Sequence, residues 1–202
     1  MVKARIAVFV SGGGTNLQAL IDAQGSVIKS GEIVLVISSS ADAYALKRAE
    51  KAGIPGIFVS KADGQKRFEK DVIKLLKDYR IDFIVLAGFM TILSKEFTKE
   101  FSGRIINIHP ALIPSFCGKG FYGLKVHEAA LEKGVKVTGA TVHYVNEIPD
   151  GGEIIMQKAV YIRKGDTPET LQRRVMEQAE WKILPRACEM VSKKIVRGKN
   201  DN

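Results

Sequence analysis

A chain of 202 residues, 46% hydrophobic and 26% charged, has the make-up of a globular protein with its own core, not of a disordered or fibrous one. No apolar run approaches the roughly 20 residues that span a bilayer, which sets a membrane role aside. The net charge of +9 reads first as a solvated helix face and a basic chain end at Lys193, Lys194, Arg197 and Lys199, and next as attraction of an anionic small molecule.

The start, Met1-Val-Lys-Ala-Arg5, runs straight into a strand pattern with no signal-peptide core. Arg5 to Val10 reads as a buried strand. Ser11-Gly-Gly-Gly14 then turns into a helix from about Asn16 to Ala23. Glycines at a strand-to-helix turn let the backbone approach an anion, and the helix start supplies free N–H groups and a positive dipole end. Leu17 stands where a dinucleotide motif needs its third glycine, no Gly-Lys-Ser/Thr follows, and the second strand ends in Ser38-Ser-Ser40 without an acidic residue. A dinucleotide is therefore disfavoured and a single phosphate favoured, with Thr15 and Asn16 as side-chain donors.

Glu32 to Ser38 is the second strand, Ala43 to Lys51 a helix closed by Gly53, and Gly56 to Ser60 a short strand. Gln65 to Tyr79 is an amphipathic helix with Phe68, Val72, Leu75, Leu76 and Tyr79 on one face. Phe83 to Ala87 is a strand, Lys95 to Phe101 a short helix, and Arg104 to Ile108 a strand that runs out into Asn107, His109 and Pro110. Period two puts Asn107 and His109 on one face of it, and Pro110 ends the ladder and keeps His109 extended. An amide donor beside a tunable acid suits acyl transfer.

A loop from Pro110 to Gly123 holds Cys117, and Leu124 to Lys133 is a helix. The strands Val137 to Val145 and Glu153 to Ile162 are close enough to be an antiparallel pair, joined by Asn146-Glu-Ile-Pro-Asp-Gly-Gly152. A carboxylate at Asp150, if it meets His109, raises the imidazole pKa and keeps the ring protonated near neutrality. Thr167 and Pro168 start a last helix, with Thr as cap and Pro at the first helical position, that runs to about Arg197 and kinks at Pro185. His127 reads as a surface residue and His143 as a support or core residue. Cys117 and Cys188 fit no zinc spacing and imply a reducing, cytoplasmic setting; no metal site is suggested. The aromatic residues do not interleave with Lys and Arg as a nucleic-acid platform would.

The fold expected is one α/β domain over residues 1–202: a doubly wound, mostly parallel sheet with helices on both faces and an antiparallel C-terminal strand pair. Ligands belong at the carboxyl ends of the strands, where the loops holding Gly12, His109 and Asp150 converge.

Four segments together resemble the phosphoribosylglycinamide formyltransferases of purine biosynthesis: Ser11-Gly-Gly-Gly-Thr-Asn-Leu-Gln-Ala19, Leu86-Ala-Gly-Phe-Met-Thr-Ile-Leu93, Asn107-Ile-His-Pro-Ala-Leu-Ile-Pro114, and Thr141-Val-His-Tyr-Val145 with Asp150-Gly-Gly152. The resemblance covers about Val2 to Pro185, and the Asn-x-His-Pro segment and the Asp are common to other formyl-folate enzymes. It implies transfer of a formyl group from 10-formyltetrahydrofolate, as co-substrate, to the amine of phosphoribosylglycinamide. Asn107, His109 and Asp150 would be catalytic. Gly14, Thr15 and Asn16 would hold the phosphate, and Glu180 would lie near the ribose and amine. Gln65, Met90, Thr91, Ile92, Leu93, Asn107, Asn146, Glu147, Ile148, Pro149 and Asp150 would line the folate pocket. The stretch after Ser115, with its added Lys119-Gly-Phe-Tyr122, departs from the family pattern.

Other readings stand beside it: a formyl-folate hydrolase, a formyltransferase with another amine acceptor such as aminoacyl-tRNA, or a non-catalytic module binding anions or RNA. The hydrolase would carry a domain ahead of the first strand and the tRNA enzyme one after Asn202. The partners expected are small molecules, with no nucleic acid and no membrane, for a monomer or a homodimer.

Overall fold

Strand β1 (Ala4–Val10) sends Ala4, Ile6, Val8 and Val10 into one apolar cluster and Ala7 and Phe9 into another. That split is the period-two signature of a strand buried on both faces. The computed structural model describes residues 2–200, and β1 is an interior strand of its sheet, between β2 and β4. β2 (Gly31–Ser38), β3 (Gly56–Phe58), β4 (Phe83–Leu86) and β5 (Ile105–His109) run parallel to it. β6 (Val137–Tyr144) and β7 (Ile154–Tyr161) add an antiparallel pair, completing a seven-stranded sheet in the order β3-β2-β1-β4-β5-β6-β7. The order reverses between β1 and β4, so their carboxyl ends open a crevice of the kind in which α/β proteins bind ligands.

Helices cover both faces. Leu17 and Leu20 of α1 (Thr15–Ala23), Ala45 and Ala49 of α2 (Tyr44–Lys51), and Leu171 and Val175 of α6 (Pro168–Val175) pack on one cluster. Phe68, Val72 and Leu76 of α3 (Gln65–Asp78) and Phe97 of α4 (Lys95–Glu100) pack on the other. The loop between β5 and α5 (Leu124–Lys133) lies over the carboxyl end of the sheet, and α5 buries Val126, His127 and Ala130. Among the described residues, no helix is long and apolar enough to cross a membrane.

The last helix departs from the sequence reading. Thr167 caps α6 with a reciprocal bond to Thr170, as the motif predicts. The irregularity falls at Met176–Glu180, which is π-helical, and α7 (Trp181–Asn200) carries Pro185 inside it. A proline strips the hydrogen bond from the carbonyl four residues earlier and presses on it. That carbonyl belongs to Trp181, where the widened turn ends. The widened turn thus ends at the residue whose carbonyl Pro185 leaves without its helical partner.

The Gly-rich turn is fixed by α2. Gly14 adopts φ 72°, and a Cβ there would meet Ala45 Cβ at 2.7 Å. Ala45 N–H donates to the Gly12 carbonyl (3.1 Å), and Arg48 Nε donates to that of Gly13 (2.8 Å). Gly14→Ala is expected to cost about 2–4 kcal/mol from left-handed strain and overpacking together, read as a lower denaturation midpoint at unchanged slope.

Candidate active site

Asn107 and His109 sit at the carboxyl end of β5, with Asn107 opposite His143 and His109 opposite Thr141 across the β5–β6 ladder. Thr141 ties down the loop that follows β5. Its hydroxyl donates to the Ala111 carbonyl (2.7 Å) and accepts from Ile113 N–H (3.1 Å) and Gln157 Nε2 (3.0 Å). That anchoring returns the chain over His109, whose Nε2 lies 2.8 Å from the Phe116 carbonyl.

The turn after β6 brings in the carboxylate. Asn146 Oδ1 accepts from Ile148 N–H (2.9 Å), and its Nδ2 donates to the Gly151 carbonyl (3.2 Å). Asp150 takes φ 55°, a conformation that Asp and Asn tolerate better than other side chains. A Cβ on Gly152 would collide with the Tyr144 carbonyl, so glycine there is a packing necessity. The Asp-Gly-Gly turn thus aims one carboxylate at two imidazoles: Asp150 Oδ2 is 3.6 Å from His109 Nδ1, and Oδ1 is 3.5 Å from His143 Nε2. Gly118 N–H also donates to Oδ2 (2.8 Å). His143 Nδ1 lies 2.8 Å from the Tyr144 carbonyl, which requires a proton on that nitrogen. Its Nε2 is 3.2 Å from Asn107 Nδ2. The ring therefore accepts from the amide when neutral and donates to the carboxylate when charged. The sequence reading of His143 as a support residue agrees with this placement.

Burial works to raise the Asp150 carboxyl. The bond from His143, the charge of His109 and the Gly118 N–H outweigh it and hold the group below the ordinary carboxylate range. His109 behaves differently from the sequence expectation. Asp150 and the Phe116 carbonyl do pull its pKa upward, but burial is the larger effect and the net direction is down. Both ring neighbours are acceptors, so a doubly protonated ring satisfies them. Such an imidazolium is a stronger acid than an exposed one.

These groups face a cavity of about 810 Å³, a size suited to a drug-sized ligand. Met90, Thr91, Ile92, Pro149 and Asp150 line one part of it, with Met90 and Ile92 largely exposed at its rim. Asn16, Gln172, Met176 and Glu180 line another. Glu180 is buried and accepts from Asn16 Nδ2 at 2.6 Å. Burial raises its pKa to about 7, against the pull of that bond.

Several sequence-predicted residues lie elsewhere. Gly14 is turned against α2, and Thr15 donates to Met176 Sδ (3.7 Å) and lines a separate groove beside Arg48. Asn16 reaches the cavity, but its amide is given to Glu180 rather than left for a phosphate. Gln65 does not line the cavity. It donates to the Ile92 carbonyl (3.1 Å) and to Glu69 (2.6 Å), which in turn accepts from Ser94. Gln65 therefore braces the Met90–Leu93 loop from below. Leu93 packs into the core, and Asn146, Glu147 and Ile148 shape the turn outside the cavity wall.

His127 is a correction in the other direction. Placed at the surface by the sequence reading, it is fully buried and lines the cavity. Its position on the inner face of α5, in phase with Ala130, is the signal that could have found it. Burial, with a smaller effect from His109, lowers its pKa to about 4. The unfolded chain binds this proton from about pH 6.5 and the folded chain only near pH 4, so stability complete above that window is lost as pH falls through it. The loss should approach about 3 kcal/mol, with His109 adding in the same direction. Urea titrations at about pH 7 and pH 4.5 should show a smaller acid loss for His127→Gln than for the wild type.

Cys117 is a loop residue whose pKa is raised by burial and by Asp150, so it is not an activated thiol. Among the described residues, no group of three or more His, Cys, Asp or Glu is placed to hold a metal ion.

The model of the formyl transferase family matches residues 4–188. The trifunctional purine biosynthetic protein adenosine-3 of Bos taurus is 45% identical over 96% of this chain, which spans only 19% of that protein's length. The phosphoribosylglycinamide formyltransferase of Haemophilus influenzae is 43% identical, with 90% of this chain and 84% of the relative covered. Among solved structures, glycinamide ribonucleotide transformylase 1 of Symbiobacterium toebii superposes with a TM-score of 0.88 at 39% identity, over 95% of this chain and 89% of that one.

Proposed function

The chain belongs to the formyl transferase family, and from that premise we propose that it moves the formyl group of 10-formyltetrahydrofolate onto the amine of phosphoribosylglycinamide. The observation that carries this reading is that Asn107, His109 and Asp150 share the wall of one large cavity, with His143 linking the Asn107 amide and the Asp150 carboxylate. The amine attacks the formyl carbon, a carbon–nitrogen bond forms, and negative charge develops on the formyl oxygen. An amide has two N–H groups. With one of them on His143, Asn107 keeps the second for that oxygen, and His109 adds its Nδ1–H, which stands 3.6 Å from Asp150 Oδ2 and so is open to a new acceptor.

Asp150 stays ionised because the charge of His109 and the Gly118 N–H favour its charged form. It then favours the protonated form of His109 against the effect of burial and accepts, through an intervening water, the proton the amine gives up. The donor nitrogen of the folate takes that same proton back through the water as its bond to the formyl carbon breaks. Nothing in this scheme needs a nucleophilic side chain, which agrees with the raised pKa of Cys117. The pterin side of the folate suits the apolar rim at Met90 and Ile92, and the acceptor suits the part lined by Asn16 and Glu180. We take the phosphate to lie toward the start of α1, where the N–H groups of a first helical turn are available.

Turnover of 10-formyltetrahydrofolate with and without phosphoribosylglycinamide tests the reading. Deformylation only when the acceptor is present is the expected result. Equal turnover without it would identify a hydrolase, and no turnover together with steeply salt-dependent RNA binding would identify a binding module.

A further inference from the structure

We propose that His127 is a ligand-contacting residue, whose ring hydrogen-bonds a hydroxyl group on the sugar of the acceptor substrate and so helps decide which amine the site accepts. This rests on the function proposed above and adds a residue to it.

The inference starts from an unpaired side chain. His127 stands in the first turn of α5 with no exposure to solvent. Among the described residues, neither Nδ1 nor Nε2 has a hydrogen-bond partner. Most buried polar side-chain atoms are paired, because burial without a partner forfeits their hydration. The ring is not shut inside the core: it lines the same cavity as His109 and Asp150.

Its neighbourhood narrows the ligand chemistry. α5 packs against α6, which contributes Gln172 to the cavity wall, and the π turn that follows contributes Glu180. Asn16 Oδ1 is a further buried atom there without a partner. An amide, a carboxyl group and an imidazole held uncharged by burial do not suit a phosphate, since none is a cation. A neutral imidazole offers one donor and one acceptor. A sugar hydroxyl, itself donor and acceptor, matches that pair, and a neighbouring hydroxyl can donate to Glu180. A site built to bond a hydroxyl rejects an analogue lacking it, because its own buried groups are then left unpaired.

The test compares kcat/KM for phosphoribosylglycinamide with that for its analogue lacking the sugar hydroxyls, in wild type, His127→Leu and His127→Asn. The wild type should prefer the natural acceptor, and His127→Leu should shrink that preference by about tenfold. His127→Asn, which keeps a donor and an acceptor, should restore part of it. KM for the folate should stay within about twofold throughout. Should His127→Leu fail to fold, ring-nitrogen NMR of the wild type replaces it, and the His127 signals should shift on saturation with phosphoribosylglycinamide alone. An unchanged preference in folded His127→Leu, or unmoved ring signals at saturation, would overturn the assignment while leaving the formyl transfer intact. A wild type that does not use phosphoribosylglycinamide at all would remove the underlying reading and this inference with it.

Discussion

Replacing His109 by alanine is expected to lower kcat by about 10²–10⁴ while KM for either substrate moves only a few-fold, the mark of a group that acts in the transition state. The ring is almost fully buried, between Asp150 on one nitrogen and the Phe116 carbonyl on the other. Both contacts favour protons on the ring, while burial pulls its pKa down. A buried imidazolium of lowered pKa gives up hydrogen-bond density readily to an oxygen that is becoming negative, and that oxygen in turn stabilises the charged ring as the reaction proceeds. Steady-state kinetics with each substrate varied checks this. A kcat within about threefold of wild type would take His109 out of the chemistry.

Asp150→Asn is expected to slow the reaction by about 10²-fold or more at every pH tested, without unfolding the turn. Asparagine tolerates the left-handed backbone at least as well as aspartate, so φ 55° is not a reason for structural failure. An amide oxygen can still accept from the Gly118 N–H, which is 2.8 Å from the carboxylate. What disappears is the negative charge beside His109 and His143, at 3.6 Å and 3.5 Å. The His109 pKa should fall further, because the pull of Asp150 is one of the effects opposing burial. A pH–rate profile together with imidazole titration by NMR separates the two consequences. Wild-type rates from Asp150→Asn would show that the carboxylate is not part of the proton path.

The fold was legible where local rules and burial agree. The apolar run Ile6 to Val10 of β1, the Gly14 turn and the capped start of α6 follow from period, φ preference and capping chemistry. The site strand was legible because a two-residue period and a proline fix which side chains share a face. The meeting of Asp150 with His109 could only be conjectured, since it depends on the β5–β6 register and on Gly152 fitting against the Tyr144 carbonyl. Tertiary contacts add partners that a sequence does not show. Gln65 has a side chain suited to a ligand but spends it on the Ile92 carbonyl, and Asn16 spends its amide on Glu180. The sign of the His109 shift was missed because a charge pair is visible in a sequence and the depth of burial is not. His127 was misplaced because its polarity outweighed the helix phase that buries it.

The most direct test follows an isotope-labelled formyl carbon through a single turnover by the wild-type protein with both substrates present. The label should pass from 10-formyltetrahydrofolate to the amine nitrogen of phosphoribosylglycinamide, with none in free formate and none on the protein. Label appearing as formate, or retained on a side chain, would contradict direct transfer at the Asn107, His109 and Asp150 site.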